Sequence, residues 1–171
     1  MPYSLLDDNL FRIRLPDGAQ KEVSLPEVLS RLSTGGIASF EALQSHQQQP
    51  WYSLLVQLGA LVKTRTAHEQ LPDTPRDWHT ALRMLSGGDA QAWQLVTDDP
   101  AQPAFMQPPI PEGSLEEANY KDDRPTPDQL DMLITSKNHD VKAFRITTPR
   151  PEHWIYALIT LQTMEGYLGL G

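Results

Sequence analysis

A chain of 171 residues is long enough to bury a sizeable core within one domain without covalent staples. It contains no cysteine, which excludes disulfides, thiolate zinc sites and cysteine nucleophiles. Its net charge of −8 argues against a surface that is basic all round, and no apolar run reaches the roughly 18 residues of a membrane-spanning helix.

The first predicted element is a β-hairpin within residues 1–24. Phe11–Leu15 alternates apolar and basic residues, the period of a half-buried strand. Pro16-Asp17-Gly18 indicates a turn, and Lys21-Glu22-Val23 can return as the second strand. We therefore expect an antiparallel hairpin before any helix.

Residues 25–98 have a helical pattern. Ser24 and Glu27 have the spacing of a capping box at the start of a helix that ends at Gly35-Gly36. The clearest helix starts near Pro50, and one apolar stripe runs along it: Trp51, Leu54, Leu55, Leu58, Leu61 and Val62.

A second clear helix is predicted from Pro75 to Leu85, with Asp73 or Thr74 as its cap. A short third piece runs from Ala90 to Val96. The three tryptophans of this region are better explained as core residues than as a ligand cage, because each buries a large apolar area. They are Trp51, Trp78 and Trp93.

Residues 99–127 form a proline-rich, acidic crossing. Such composition predicts a long irregular connection, ordered mainly where Phe105-Met106 can insert into a core. Its acids, with the two that follow, lack regular metal-ligand spacing, so we interpret them as a solvated face. They are Glu112, Glu116, Glu117, Asp122, Asp123, Asp128 and Asp131.

Residues 128–171 are predicted to form a helix–loop–helix. The final helix, Pro151 to Leu168, is apolar on almost every side, as in a helix that is buried or that meets a partner. Because the chain stops directly after it, we expect a piece of a longer protein. The fold class is thus α+β in a single domain, residues 1–171: an N-terminal β-hairpin, then a mainly helical domain with long proline-rich irregular connections.

The most informative segment lies in the loop of that last unit. From Thr135 to Arg150 there are four cations and one anion, a net charge of +3, so the rest of the chain carries −11. A basic island in an acidic protein indicates a local anionic partner such as a phosphate backbone. An ordinary solvated loop is the alternative explanation.

No catalytic motif accompanies this loop. The sequence has no glycine-rich phosphate loop, nucleophile elbow or HExxH motif, and its five histidines are widely spread. His139-Asp140 beside Ser136 and Lys137 is the one conceivable hydrolytic cluster, but adjacent loop residues usually point apart. We therefore predict no enzyme activity, no cofactor and no metal site.

Several short stretches in the right order resemble one family. They are Leu5-Leu6-Asp7, Leu15-Pro16-Asp17-Gly18, Val23-Ser24-Leu25, Phe105-Met106-Gln107 with the prolines that follow, Leu130–Leu133, Thr135–Asp140, and the closing Trp154, Ala157-Leu158, Leu161–Thr163, Gly166 and Gly169. Together they resemble the N-terminal part of CasA, the large subunit of Cascade, the type I-E CRISPR surveillance complex. The Phe-Met-Gln-Pro-Pro and Thr-Ser-Lys-Asn-His-Asp stretches are the most specific.

The resemblance implies a non-catalytic nucleic-acid-binding subunit of a cytoplasmic, RNA-guided antiviral complex, without membrane contact. Its partners are CRISPR RNA, target DNA, the other Cascade subunits and a recruited helicase-nuclease. RNA pairing reads most of the sequence, while the protein assists recognition of the target-adjacent motif. Thr135 to Phe144 matches, by position, a family loop near the RNA 5′ handle and the motif-proximal duplex. By their side-chain chemistry, the residues expected to contact nucleic acid there are Lys137, Asn138, His139 and Lys142, with Arg145 directly after the loop in support.

The chain departs from the family in length, because members are several hundred residues longer. Some also carry cysteines where this chain has Pro149–His153. Two other functions remain open. One is a small acidic protein-interaction module that uses the proline-rich centre, and the other is a hydrolase that uses His139 and Asp140.

Overall fold

A computed structural model describes residues 3–65, 70–111, 113–119, 125–130 and 146–164. Within these residues the fold is α+β, as predicted, with a small antiparallel sheet followed by a mainly helical unit. The strands are β1 (Phe11–Arg14), β2 (Gln20–Val23) and β3 (Ser39–Phe40). The helices are α1 (Leu25–Ser33), α2 (Gln48–Arg65), α3 (Pro75–Leu85) and α4 (Pro151–Met164). Three short 3₁₀ turns lie at Ser45–Gln47, Gln91–Trp93 and Pro127–Leu130.

The predicted hairpin is confirmed and gains a third strand. β1 pairs antiparallel with β2, Phe11 lying opposite Val23, and the turn is closed by Gly18 at φ +88°. β3 pairs with the other edge of β1, so the sheet order is β2-β1-β3. β3 has only two residues, too few for an alternating pattern to be visible in the sequence. Phe11 and Val23 are buried and bring this sheet onto the helices.

The predicted capping box at the start of α1 is wrong. Ser24 does occupy the N-cap position, but its side chain makes no capping hydrogen bond. The carboxylate of Glu27 instead accepts hydrogen bonds from Lys21 at 2.5 Å and from Arg31 at 2.8 Å. Two cations hold this side chain more strongly than one backbone N–H would, which explains the failure of the motif.

α2 begins two residues before Pro50, which is tolerated in the first turn because its missing N–H would be unpaired there. Most of the predicted stripe is buried, with Trp51 at 1% exposure and Leu58 at 7%. Leu61 is an exception, since 39% of it is exposed. The buried face therefore continues to Val62, which is fully buried, and leaves Leu61 at its edge.

α3 has the predicted bounds, and Thr74 is its cap. The Thr74 hydroxyl accepts a hydrogen bond of 3.2 Å from the backbone N–H of Asp77. Trp78, Ala81 and Leu82 are buried on one face, against α1 and α2.

An aromatic cluster forms the centre of the core. The ring of Trp51 lies 5.3 Å from Phe11, 5.5 Å from Phe40 and 5.1 Å from Tyr156, which joins the sheet, α2 and α4. Trp78 and Trp93 are also buried, so the prediction that the three tryptophans are core residues is confirmed.

The proline-rich crossing contains no α-helix or β-strand in the part that the structure describes. Phe105 is buried, as expected, and its ring stacks on Trp93 at 6.4 Å. α4 follows in the chain and packs on α2. None of the described helices combines the length and apolar character needed to cross a membrane.

Candidate nucleic-acid interface

The five residues predicted to contact nucleic acid all lie outside the residues that the structure describes. They are Lys137, Asn138, His139, Lys142 and Arg145. His139 and Asp140, the conceivable hydrolytic pair, fall in the same stretch. The structure does describe the residues on either side of this stretch, which comprises residues 131–145.

Described residues that precede and follow that stretch line one cleft. Leu130, the last residue of the 3₁₀ turn Pro127–Leu130, lines one side. Pro149, Arg150 and Pro151, at the start of α4, line another side. The cleft has a volume of about 490 Å³, large enough for one or two flat aromatic groups. We call it the basal cleft.

The remaining walls of the basal cleft are mostly apolar and partly aromatic. Tyr3, which is 40% exposed, and the partly buried Trp154 supply the rings. Leu95, Val96 and Leu158 supply aliphatic side chains. Rings of this kind can stack on unpaired bases. The sequence motifs did not identify Tyr3 as a candidate.

Gln107 adds a polar side chain to the lining of the basal cleft. Its amide nitrogen donates hydrogen bonds to the carbonyl oxygens of Leu95 at 2.9 Å and Phe105 at 3.3 Å. These bonds fix the side-chain amide at the edge of the cleft. Gln107 belongs to the Phe-Met-Gln stretch that carries part of the family resemblance.

That stretch forms a tight, well-anchored turn. Met106 adopts a positive φ of 57°, uncommon for any residue except glycine, and Ala104 and Gln107 bridge its ends. The backbone N–H of Phe105 donates to the carbonyl of Gln94 at 2.7 Å. The Gln162 amide donates to the carbonyl of Met106 at 3.1 Å, which ties the turn to α4.

A buried carboxylate fixes the start of α4 on the sheet. Glu152 is 0% exposed, and it accepts a hydrogen bond of 2.9 Å from the backbone N–H of Arg12. Its other oxygen forms an ion pair with the guanidinium of Arg12. The sequence pattern gave no sign of this pair, because the two residues lie 140 positions apart.

The cation at the end of the basic island is already paired. Arg150 forms an ion pair with Glu22 of β2, so this one of the island's four cations is locally neutralised. The backbone N–H of Arg150 also donates to Nδ1 of His153 at 2.9 Å. Burial lowers the pKa of His153, and this effect outweighs the opposing one of the neighbouring Glu152 carboxylate.

The acids of the crossing do not all face solvent. Glu116 and Glu117 are exposed, as expected, but Asp128 is only 5% exposed, so its assignment to a solvated face is wrong. Asp128 lies in the 3₁₀ turn that packs against α4, and this packing covers its side chain. Within the described ranges, no three His, Asp or Glu side chains lie close enough together to hold a metal ion.

Comparison with known proteins adds no relative. No protein-family model matches the chain, and neither a curated protein nor a solved structure resembles it significantly.

Proposed function

We propose that this chain is the N-terminal part of the large subunit, CasA, of a type I-E CRISPR surveillance complex, and that it binds nucleic acid without catalysing a reaction. The proposal rests on the resemblance carried by the Phe105–Pro109 and Thr135–Asp140 stretches. It places the chain in the cytoplasm, in a complex with CRISPR RNA, target DNA and the other Cascade subunits.

One observation supports the proposal most. Gln107, from the first of these two stretches, lines the basal cleft together with Leu130 and Pro149, which come before and after the segment that contains the second. Residues that flank the second stretch therefore share a cleft with Gln107, although 27 residues separate Gln107 from Thr135, where the second stretch begins. A shared position of this kind is expected if both belong to one interface.

The residue types in the loop suit an RNA or DNA backbone. Lys137 and Lys142 carry compact charges suited to phosphates, and Arg145 can pair with a phosphate through two hydrogen bonds. Asn138 can both donate to and accept from a base edge or a sugar, and the His139 ring can stack on an unpaired base. Base pairing with CRISPR RNA then provides most of the sequence specificity.

The charge of the remaining chain limits where such binding occurs. Outside Thr135–Arg150 the chain carries −11, which repels free nucleic acid. Binding by this chain alone is therefore weak, and the loop acts once other subunits hold the RNA and DNA in place. The complete subunit also recruits the helicase-nuclease.

A second function is favoured by one feature of the acidic crossing. Leu115 is 54% exposed and is followed by the exposed Glu116 and Glu117, a combination typical of short motifs that bind basic, partly apolar protein surfaces. Under this alternative the chain is an acidic protein-interaction module that does not bind nucleic acid.

Reconstitution separates the two functions. A type I-E complex is assembled on CRISPR RNA without its large subunit, this chain is added, and co-elution and target-DNA affinity are measured. We expect co-elution only with the RNA-loaded complex and a measurable gain in DNA affinity. Equal co-elution with the RNA-free subunits and unchanged DNA affinity would support the interaction module instead.

A further inference from the structure

An apolar groove between α2 and α1, which shares no lining residue with the basal cleft, has no role in the proposed function. Its floor is α2, and its walls come from α1 and from the segment that precedes α3. The groove has a volume of about 480 Å³. The residues of α2 that line it are Tyr52, Leu55, Val56, Gly59, Ala60 and Lys63.

The α2 residues in this groove are spaced as the receiving surface for another helix. Val56, Gly59, Ala60 and Lys63 stand at i, i+3, i+4 and i+7, the four positions that surround one hole in knobs-into-holes packing. Tyr52 begins a second such set with Leu55, Val56 and Gly59. These groove residues span 12 positions, from Tyr52 to Lys63, about 16 Å or three helical turns.

Considerable apolar surface remains exposed along this groove. Val56 is 72% exposed, Tyr52 44% and, on the facing wall, Leu71 42%. Adjacent uncovered apolar side chains typically mark a site of interaction with another molecule.

Gly59 lies at the bottom of the groove without an internal packing reason to be glycine. A Cβ placed on it would meet only Leu71, at 3.8 Å and 4.0 Å, which is ordinary contact. Glycine is less favourable than alanine in a helix interior, so its presence here calls for another reason. The absence of a side chain here keeps the hole between Val56 and Lys63 deep enough for a side chain from outside.

One charge defines the end of the groove. Lys63 is exposed, and it makes no ion pair with any residue in the described ranges. An acidic side chain on the occupant could form an ion pair with Lys63.

The backbone N–H groups on the floor of the groove already donate hydrogen bonds within α2, so an extended peptide would find no partners for its own backbone there. A helix satisfies its own backbone and has no such need.

From this spacing, exposure and charge we infer that the groove binds an amphipathic α-helix of a partner protein. The helix carries an apolar ridge at i, i+3 or i+4, and i+7, with an Asp or Glu placed to face Lys63. The inference does not rest on the proposed function, since the groove and the basal cleft have no lining residue in common.

The test is a selection with the whole chain as bait and a phage library of helix-forming peptides as probe. The enriched peptides are expected to share the apolar ridge and the acid at one end. The affinity of one synthetic peptide is then measured by fluorescence anisotropy for the wild type and three variants. Val56→Lys puts a charge into the groove, whereas Gln57→Lys adds the same charge on an exposed α2 position outside it.

We expect Val56→Lys to weaken binding at least about tenfold and Gln57→Lys by less than about twofold. Lys63→Glu should weaken binding by about threefold, and a peptide with its acid changed to lysine should restore it. Circular dichroism shows whether each variant is folded. Enriched peptides without the ridge and acid, or equal binding to Val56→Lys, would overturn the inference. So would a dimer of the chain that Val56→Lys dissociates, because the occupant would then be a second copy.

Discussion

The carboxylate of Glu152, in the first turn of α4, accepts a hydrogen bond of 2.9 Å from the backbone N–H of Arg12 in β1 and pairs with the guanidinium of the same residue. Glu152 is fully buried, whereas the Arg12 side chain is 33% exposed. This contact joins the sheet to the helix that forms one wall of the basal cleft. The position of α4 therefore depends on a charge at its N-terminal end, where a helix favours an anion.

Glu152→Gln should lower the free energy of unfolding by about 1–3 kcal/mol, since it leaves the Arg12 guanidinium without its counter-ion. Urea denaturation provides the measurement. Glu22→Gln is the matched control, because it breaks the exposed ion pair with Arg150 and should cost less than about 1 kcal/mol. Similar losses in both variants would show that burial of Glu152 does not increase the contribution of its ion pair to the free energy of unfolding.

Leu58→Ala should destabilise the chain by about 2–5 kcal/mol, because Leu58 is 7% exposed and its removal leaves a cavity under α2. Leu61→Ala, on the same helix but 39% exposed, should cost about 1 kcal/mol or less. Thermal and urea unfolding of the two variants are compared. A larger loss for Leu61→Ala would contradict the burial described for the stripe.

Thr74→Ala should cost about 0.5–2 kcal/mol, the usual value of a lost N-cap hydrogen bond. Ser24→Ala removes a hydroxyl from the same position of α1, where it caps nothing, and should change stability by less than about 0.5 kcal/mol. The two substitutions are chemically similar, so their difference in unfolding free energy isolates the cap. Equal effects would mean that Ser24 does cap α1 in solution.

Folding stability should fall as the pH drops below about 6.5, because the pKa of His153 is lowered from that ordinary value by burial. The unfolded chain then binds a proton that the folded chain resists. The contribution of neutral His153 to folding stability is complete above the pKa of the unfolded chain. It is lost as the pH falls through the lower pKa of the folded chain. Protonation would also remove the Nδ1 lone pair that accepts from the N–H of Arg150.

His153→Gln keeps a hydrogen-bond acceptor but does not titrate. Unfolding free energies measured between pH 7.5 and pH 5.5, values on either side of about 6.5, should therefore change less in the variant than in the wild type. Carboxylates with lowered pKa values, such as Asp7 and Glu27, lose their contributions only at more acidic pH. An identical pH dependence in the variant would exclude His153 as the cause.

Local patterns in the sequence predicted the elements well, and long-range pairings account for what they missed. The hairpin, α2 and α3 follow from periods of 2 and 3.6 residues and from turn signals, all of which are local. β3 could not be predicted, because two residues become a strand only by pairing with β1. The capping box failed for a related reason, since Lys21 of β2 competes for Glu27.

The candidate interface was predictable only in part. Composition identified the basic island and the resemblance identified the Phe-Met-Gln stretch, but neither showed that Tyr3 and Gln107 line one cleft with Trp154. Nor could composition show that Arg150 is paired with Glu22, 128 positions away. Such pairings are created by the fold, so charge counting overstated the positive charge that the island presents.

The segment from Thr135 to Phe144 is proposed to bind nucleic acid in an assembled complex. The most direct test is the salt dependence of target-DNA binding by a complex whose large subunit carries Lys137→Ala and Lys142→Ala. The control subunit carries Lys21→Ala and Arg76→Ala, which remove the same charge elsewhere. We predict weaker binding by the loop variant, with the slope of log affinity against log salt reduced by about one unit per lost phosphate contact, and an unchanged slope for the control. Unchanged affinity and slope in the folded loop variant would contradict the account.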